Sequence, residues 1–269
     1  LHSDIDIFWT GPEIISETLD VEPIARLTEI LRRPPLIWDN LFANDYDGRR
    51  FFCGPYAGRP LELKQAVRGI LLNPNTEFPL NFVPIHSFGA YLAADSVWDS
   101  RASFLEGLKA WWPRFATVGA PLSFDDLVTF ADCFYLPYQE GPEADALAHA
   151  IARCLSSPRP PVDPESLAVR ARMLRLKDFC ARLVDLKDRG LFHAFHRRVW
   201  ELREELDLID RWWSHQIDPA REGTPFESDF HRPKTYRGGF VVRLQSFLNP
   251  QPDGSMEWIS LNPGPETAV

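Results

Sequence analysis

Along the first 93 residues, short apolar runs alternate with amphipathic stretches. Ile5-Asp6-Ile7-Phe8-Trp9 has the branched and aromatic content of a strand and stops at Thr10-Gly11-Pro12, a turn sequence. From Glu22 to Arg33 the apolar residues Ile24, Leu27, Ile30 and Leu31 recur at helical spacing, and Pro34-Pro35 closes the segment. Leu36-Ile37-Trp38 begins a second strand, and a polar loop follows from Asp39 to Asp47. Pro60 to Arg68 predicts a helix. Gly69 to Leu72 predicts a third strand ending at Asn73-Pro74-Asn75, and Leu80 to Leu92 a further helix. The order β-α-β-α-β-α implies a parallel sheet.

From about residue 95 the pattern is helical. Helices are expected over 101–112, 123–135, 142–156 and a long stretch over 164–217 that Gly190 would split or kink. Ser157-Pro158-Arg159-Pro160-Pro161 reads as a connector. Tyr236 to Leu248 reads as one more helix, with Phe240, Leu244 and Phe247 on one face. The Pro- and Gly-containing tail from Asn249 is expected to be loosely ordered. The fold class is therefore α/β plus all-α, divided into 1–94, a helical region over 95–248 and a tail over 249–269.

Composition narrows the function classes. With 45% hydrophobic and 25% charged residues the chain reads as a soluble globular protein. It contains no apolar run of the roughly 18 to 20 residues that spans a bilayer. The start, Leu1-His2-Ser3-Asp4, has neither an initiator Met nor the basic and apolar regions of a signal peptide, which suits a processed or excised chain. The net charge of −9 disfavours a nucleic-acid partner. Cys53, Cys133, Cys154 and Cys180 form no CxxC pair, so they read as buried thiols of a reducing, cytoplasmic compartment rather than zinc ligands or disulfides. His193 and His196 have a spacing that could hold a metal, but no third ligand stands at useful spacing, and no metal or cofactor is expected. Trp111-Trp112 and Trp212-Trp213 read as core or interface. The mixed charges of Arg170 to Arg189 read as a solvated helix face.

Candidate chemistry collects at the ends of the three strands, as it does in (β/α) barrels. Those ends carry Trp9-Thr10, then Trp38 through Asp47, then Asn73. Amide and carboxylate side chains can bond neighbouring sugar hydroxyls, and an indole offers an apolar wall to a sugar ring. On spacing alone, Asp39, Asn40 and Asn44 read first as Asx residues that merely form a turn, and only second as a sugar site.

Several of these segments resemble glycoside hydrolase family 84. They are Phe8-Trp9-Thr10-Gly11-Pro12-Glu13-Ile14-Ile15, then Arg33-Pro34-Pro35-Leu36-Ile37-Trp38-Asp39-Asn40, and Ala43-Asn44-Asp45-Tyr46-Asp47. Gly54-Pro55-Tyr56-Ala57-Gly58-Arg59 and Gly69 to Asn75 continue the likeness in order. The resemblance implies the last three βα units of a TIM (β/α)8 barrel, followed by a helical-bundle stalk. It implies that Trp38 walls the N-acetyl group, that Asn40 and Asn73 bind polar groups of the sugar or acetamide, and that Asp45 holds hydroxyls on the far side of the ring. It implies an O-GlcNAcase-like β-N-acetylglucosaminidase with substrate-assisted chemistry, run by two adjacent aspartates on an earlier strand. Those would lie upstream of Leu1.

Asp125-Asp126 is the only Asp-Asp pair, and it follows Ser123 as a helix start does. The partners implied are a glycoprotein or glycan bearing N-acetylglucosamine, the missing N-terminal half of the barrel, and a homodimer through the stalk. Two alternatives stand beside this reading: a non-catalytic carbohydrate-binding or interaction module, and a hyaluronidase-like glycosidase.

Overall fold

The computed structural model describes residues 2, 4–156, 162–226 and 239–258. Three short parallel strands, β1 (Phe8–Trp9), β2 (Leu36–Asp39) and β3 (Gly69–Leu72), form a sheet with β2 in the centre. The register pairs Phe8 with Leu36 and Trp38 with Leu71. Helix α1 (Val21–Leu31) joins the first two strands and α2 (Leu63–Ala66) precedes the third. One sheet face is closed by these helices, where Leu19, Ile24, Ile37, Leu63 and Val67 form a small buried cluster. The other face is open. Phe8 is 53%, Trp38 40% and Leu71 45% exposed there. Alternation along the strand explains both faces at once, since Ile37 and Asp39 point in while Trp38 points out.

The remaining helices are α3 (Phe82–Ala93), α4 (Ser100–Trp111), α5 (Phe124–Asp132), α6 (Pro142–Leu155), α7 (Pro164–Arg182), α8 (Arg189–Ile217) and α9 (Phe240–Gln245). The long stretch over 164–217 is split, as expected, into two helices. Its break lies at residues 183–188, ahead of Gly190: a 3₁₀ turn, Leu183–Asp185, ends α7, and Asp188 caps α8 by accepting from the Leu191 amide at 3.0 Å. The Lys187 amide is drawn away to the Ala116 carbonyl at 2.9 Å, which commits the chain to turn there. The expected helix over 236–248 is shorter as well, with residues 236–238 outside the described ones.

The expectation of a loose tail is overturned for residues 249–258. Strands β4 (Leu248–Pro250) and β5 (Met256–Trp258) form an antiparallel hairpin. Its Gly and Pro residues make the turn instead of loosening the chain: Gly254 takes φ +88°, and Asp253 accepts from the Ser255 amide at 3.0 Å. Met256 is buried and its amide donates to the Phe226 carbonyl at 2.7 Å. Residues 259–269 and the 157–161 connector lie outside the described residues.

A single large core runs from Leu41 to Met256 and crosses the expected boundary at residue 94. The loop after β2 is part of it. Phe51 stacks on Phe134 with centroids 4.3 Å apart and meets Phe195 of α8 edge-on at 5.5 Å. The amides of Cys53 and Gly54 each donate at 2.7 Å to the carbonyls of Phe134 and Tyr135. Only glycine allows that approach, because a Cβ at Gly54 would lie 2.2 Å from the Tyr135 oxygen. Trp111, Trp212 and Trp213 are core residues, whereas Trp200 on α8 is 59% exposed.

Candidate functional site

Each strand delivers a polar group at its C-terminal end. Trp38 turns its indole to the open sheet face, where Phe8 meets it edge-on at 5.6 Å. The Trp38 Nε1 donates to Asn40 Oδ1 at 2.9 Å, and Asn73 Nδ2 donates to the same oxygen at 2.9 Å. Asn40 Nδ2 in turn donates to the Ile14 carbonyl at 2.7 Å. The structure thus brings Trp38, Asn40 and Asn73 together from β2 and β3. Asn40 is the hub and is buried, and its second amide hydrogen goes to none of the described residues. Asn73 is half-buried and its Oδ1 accepts from none of the described residues.

Asp45 lies apart on the rim of the β2 loop, exposed and without a hydrogen bond to any described residue. Its neighbours are fixed. Asn44 is buried and donates to the Arg50 carbonyl at 3.0 Å, while its Oδ1 accepts from the Thr76 amide at 2.8 Å. Tyr46, on the other side of Asp45, stacks on Phe52 at 6.5 Å. Asn75 locks the next turn by trading two hydrogen bonds with the Phe52 backbone, at 2.7 and 2.9 Å. A carboxylate held on such a loop can accept from hydroxyls of a ligand without first breaking a bond.

Beneath the rim is a buried ion pair that sequence reasoning missed. Asp39 does form the expected Asx turn, accepting from the Leu41 amide at 3.1 Å. It also takes a two-pronged contact from Arg59, at 2.8 Å from Nε and 2.6 Å from Nη2, and a 2.8 Å hydrogen bond from the Tyr56 hydroxyl. The other Arg59 hydrogens go to the carbonyls of Ser16, Glu17 and Ala57, so all five N–H groups are used. Burial works to lower the Arg59 pKa, but the charge and hydrogen bonds of Asp39 outweigh it and the net shift is upward. Burial, then the Asp39 charge, push the Tyr56 phenol well above its ordinary range. This pair ties the β2 end to the loop holding Ile14, and so to Asn40. One hint of it was legible, the co-occurrence of Asp39 and Arg59 in two of the family-like segments.

The rejected candidates have ordinary places. Ser123 caps α5, and Asp125 and Asp126 occupy its first turn, where Asp126 lies 3.5 Å from Arg175. His193 and His196 face solvent on α8, with His196 Nδ1 2.9 Å from the His193 carbonyl. All four cysteines are buried and free. Among the described residues no helix is long and apolar enough to cross a membrane.

A family model described as β-N-acetylglucosaminidase matches residues 1–122. Protein O-GlcNAcase of Rattus norvegicus and that of Mus musculus are each 47% identical over 87 residues, which is 32% of this chain and 10% of each relative. The match therefore spans only about a tenth of the curated relatives' length. A mutant O-GlcNAc hydrolase of Thermobaculum terrenum has a similar fold, mostly helical with a few strands, at a TM-score of 0.58 and 22% identity; the likeness covers 80% of this chain and 44% of that one. Over residues 1–122 the chain is thus similar to β-N-acetylglucosaminidases, and over 87 residues to the two O-GlcNAcases.

Proposed function

We propose that this chain supplies the sugar-binding rim of a β-N-acetylglucosaminidase that removes O-linked N-acetylglucosamine from glycoproteins. The observation that carries this reading is the convergence of Trp38 and Asn73 on Asn40 Oδ1, together with the exposed Asp45 carboxylate on the following loop, which bonds to no described residue. Trp38 walls the acetamide, with its indole fixed by Asn40. Asn73 offers a free carbonyl and one amide hydrogen to the sugar, and Asp45 takes the ring hydroxyls. The acetamide oxygen attacks the anomeric carbon as the glycosidic C–O bond breaks; one carboxylic acid protonates the departing Ser or Thr oxygen, the acetamide N–H passes its proton to a carboxylate, and water then opens the oxazoline, a substrate-assisted exception to the two-carboxylate retaining scheme. The adjacent aspartates that run it stand on another strand.

The sheet supports that division of labour. Parallel sheets are covered on both faces, yet here Phe8, Trp38 and Leu71 lie open, and β1 and β3 have no outer neighbour among the described residues. Further strands of a (β/α)8 barrel would cover them, making these the last three βα units and the helical region a stalk. The exposed Trp200 on α8 suits a protein contact, either a homodimer or the peptide part of a glycoprotein.

The test is a titration of the chain with N-acetylglucosamine and, separately, glucose, followed through the Trp38 indole N–H resonance. N-acetylglucosamine should shift it and glucose, lacking the acetamide, should shift it far less. Equal responses, or none, would remove the basis for this reading.

A further inference from the structure

Asp45 and Asn73 stand on different loops, and a side chain from the helical region joins the two. Arg198 of α8 is 5% exposed and lies across both loops. Its Nη1 donates to the Arg50 carbonyl at 2.6 Å and reaches the Gly48 carbonyl at 3.4 Å, on the loop of Asp45. Its Nη2 donates to Thr76 Oγ1 at 3.3 Å and pairs with the Glu77 carboxylate, on the loop of Asn73. The Arg50 carbonyl also accepts from Asn44 Nδ2, and Asn44 Oδ1 accepts from the Thr76 hydroxyl at 3.1 Å. Asn44 directly precedes Asp45, so the cluster fixes the backbone from which that carboxylate projects.

We propose that Arg198 is a positioning residue for sugar binding: from α8 it sets the spacing between the Asp45 loop and the Asn73 loop. This rests on the sugar-rim reading above. The role needs arginine. A planar guanidinium presents donors in a fixed fork, so one end can hold a carbonyl of one loop while the other holds a hydroxyl and carboxylate of the next. A lysine ammonium is a single point charge at the end of a flexible stem and can satisfy one loop well but not both. The helical region would then enter the chemistry through this contact, independently of any partner it binds. The plain alternative is that Arg198 only fills space and pairs with Glu77. In that case its loss would lower stability and leave ligand affinity alone.

Two measurements decide, each on Arg198→Met and the milder Arg198→Lys, which keeps the charge should the first fold poorly. The first is amide hydrogen exchange on the chain itself, which needs no ligand. Exchange in 44–50 and 73–77 should rise by about tenfold in Arg198→Met, and less in Arg198→Lys, while α5 is unchanged. The second is steady-state kinetics in the complete enzyme, this chain with the strands that close its sheet, on an aryl N-acetylglucosaminide. KM should rise by about fivefold or more with kcat affected less, as for contacts made in both ground and transition states, and Arg198→Lys should recover part of it. Unchanged exchange in the two loops overturns the proposal. So does an unchanged KM in Arg198→Met when Asp45→Ala impairs the same enzyme. If Asp45→Ala is also without effect, the sugar-rim reading falls first and takes this inference with it.

Discussion

Asp39 closes β2 and Asp45 lies six residues on in the loop that follows, yet their removal should have very different consequences. The Asp39 and Arg59 side chains are 1% and 0% exposed. Asp39→Ala would strand a buried guanidinium with the two donors that met the carboxylate unpaired, along with the Tyr56 hydroxyl and the Leu41 amide. Breaking one side of a buried pair costs about 3–5 kcal/mol. Whole domains are stable by only about 5–15 kcal/mol, so this would be a large share. Asp45 is exposed and bonded to no described residue, so Asp45→Ala should change stability by no more than about 0.5 kcal/mol. Urea unfolding followed by circular dichroism and Trp fluorescence would measure both. Adding Arg59→Met to Asp39→Ala should recover part of the loss, because an absent pair is cheaper than a broken one. The reasoning is wrong if Asp39→Ala costs less than about 1 kcal/mol, or if Asp45→Ala costs as much as Asp39→Ala.

Other outcomes follow from the same structure. In the complete enzyme Asp45→Ala should lower kcat/KM at least about tenfold, since a charge-assisted contact is worth roughly 1.5–3 kcal/mol; an unchanged value would misassign the rim. Burial pushes Tyr91 and Tyr138 up to about 12. Their folded values lie above the ordinary phenol value of about 10, so their stabilisation is complete below pH ~10 and is lost as pH rises toward ~12. A phenolate absorbance titration should accordingly show fewer tyrosines ionised at pH ~11 in the native chain than in denaturant, and equal numbers with the fold intact would contradict it. Truncation after residue 94 should leave Phe51, Phe52 and Cys53 without the helices that bury them, giving a chain without a cooperative unfolding transition; a cooperative one would mean that the shared core is dispensable.

Periodicity located every strand of the parallel sheet and most helices, because one-sided burial writes itself into spacing. It did less well where long-range contacts decide. Gly190 signalled the break before α8, but its exact place depends on Lys187 finding the Ala116 carbonyl; the β4–β5 hairpin depends on Met256 finding the core and is not legible locally. The core crosses residue 94 for the same reason: Phe51 looks like a loop residue until Phe134 and Phe195 come to meet it. Within the site, Trp38, Asn40, Asp45 and Asn73 came from a family resemblance, and the hub role of Asn40 required coordinates. Arg59 and Arg198 act over distances that no local pattern encodes.

The central claim is that this chain holds the sugar while carboxylates on other strands cleave it. Release of the aryl group from an aryl β-N-acetylglucosaminide tests it most directly, assayed with the pure chain and again after the remaining barrel strands are supplied, covalently or as a second chain. Residues 1–269 alone should give no turnover, and the completed barrel should turn over substrate, with Asp45→Ala abolishing or strongly reducing it. Turnover by the isolated chain, or a completed barrel that folds and stays silent, would contradict it.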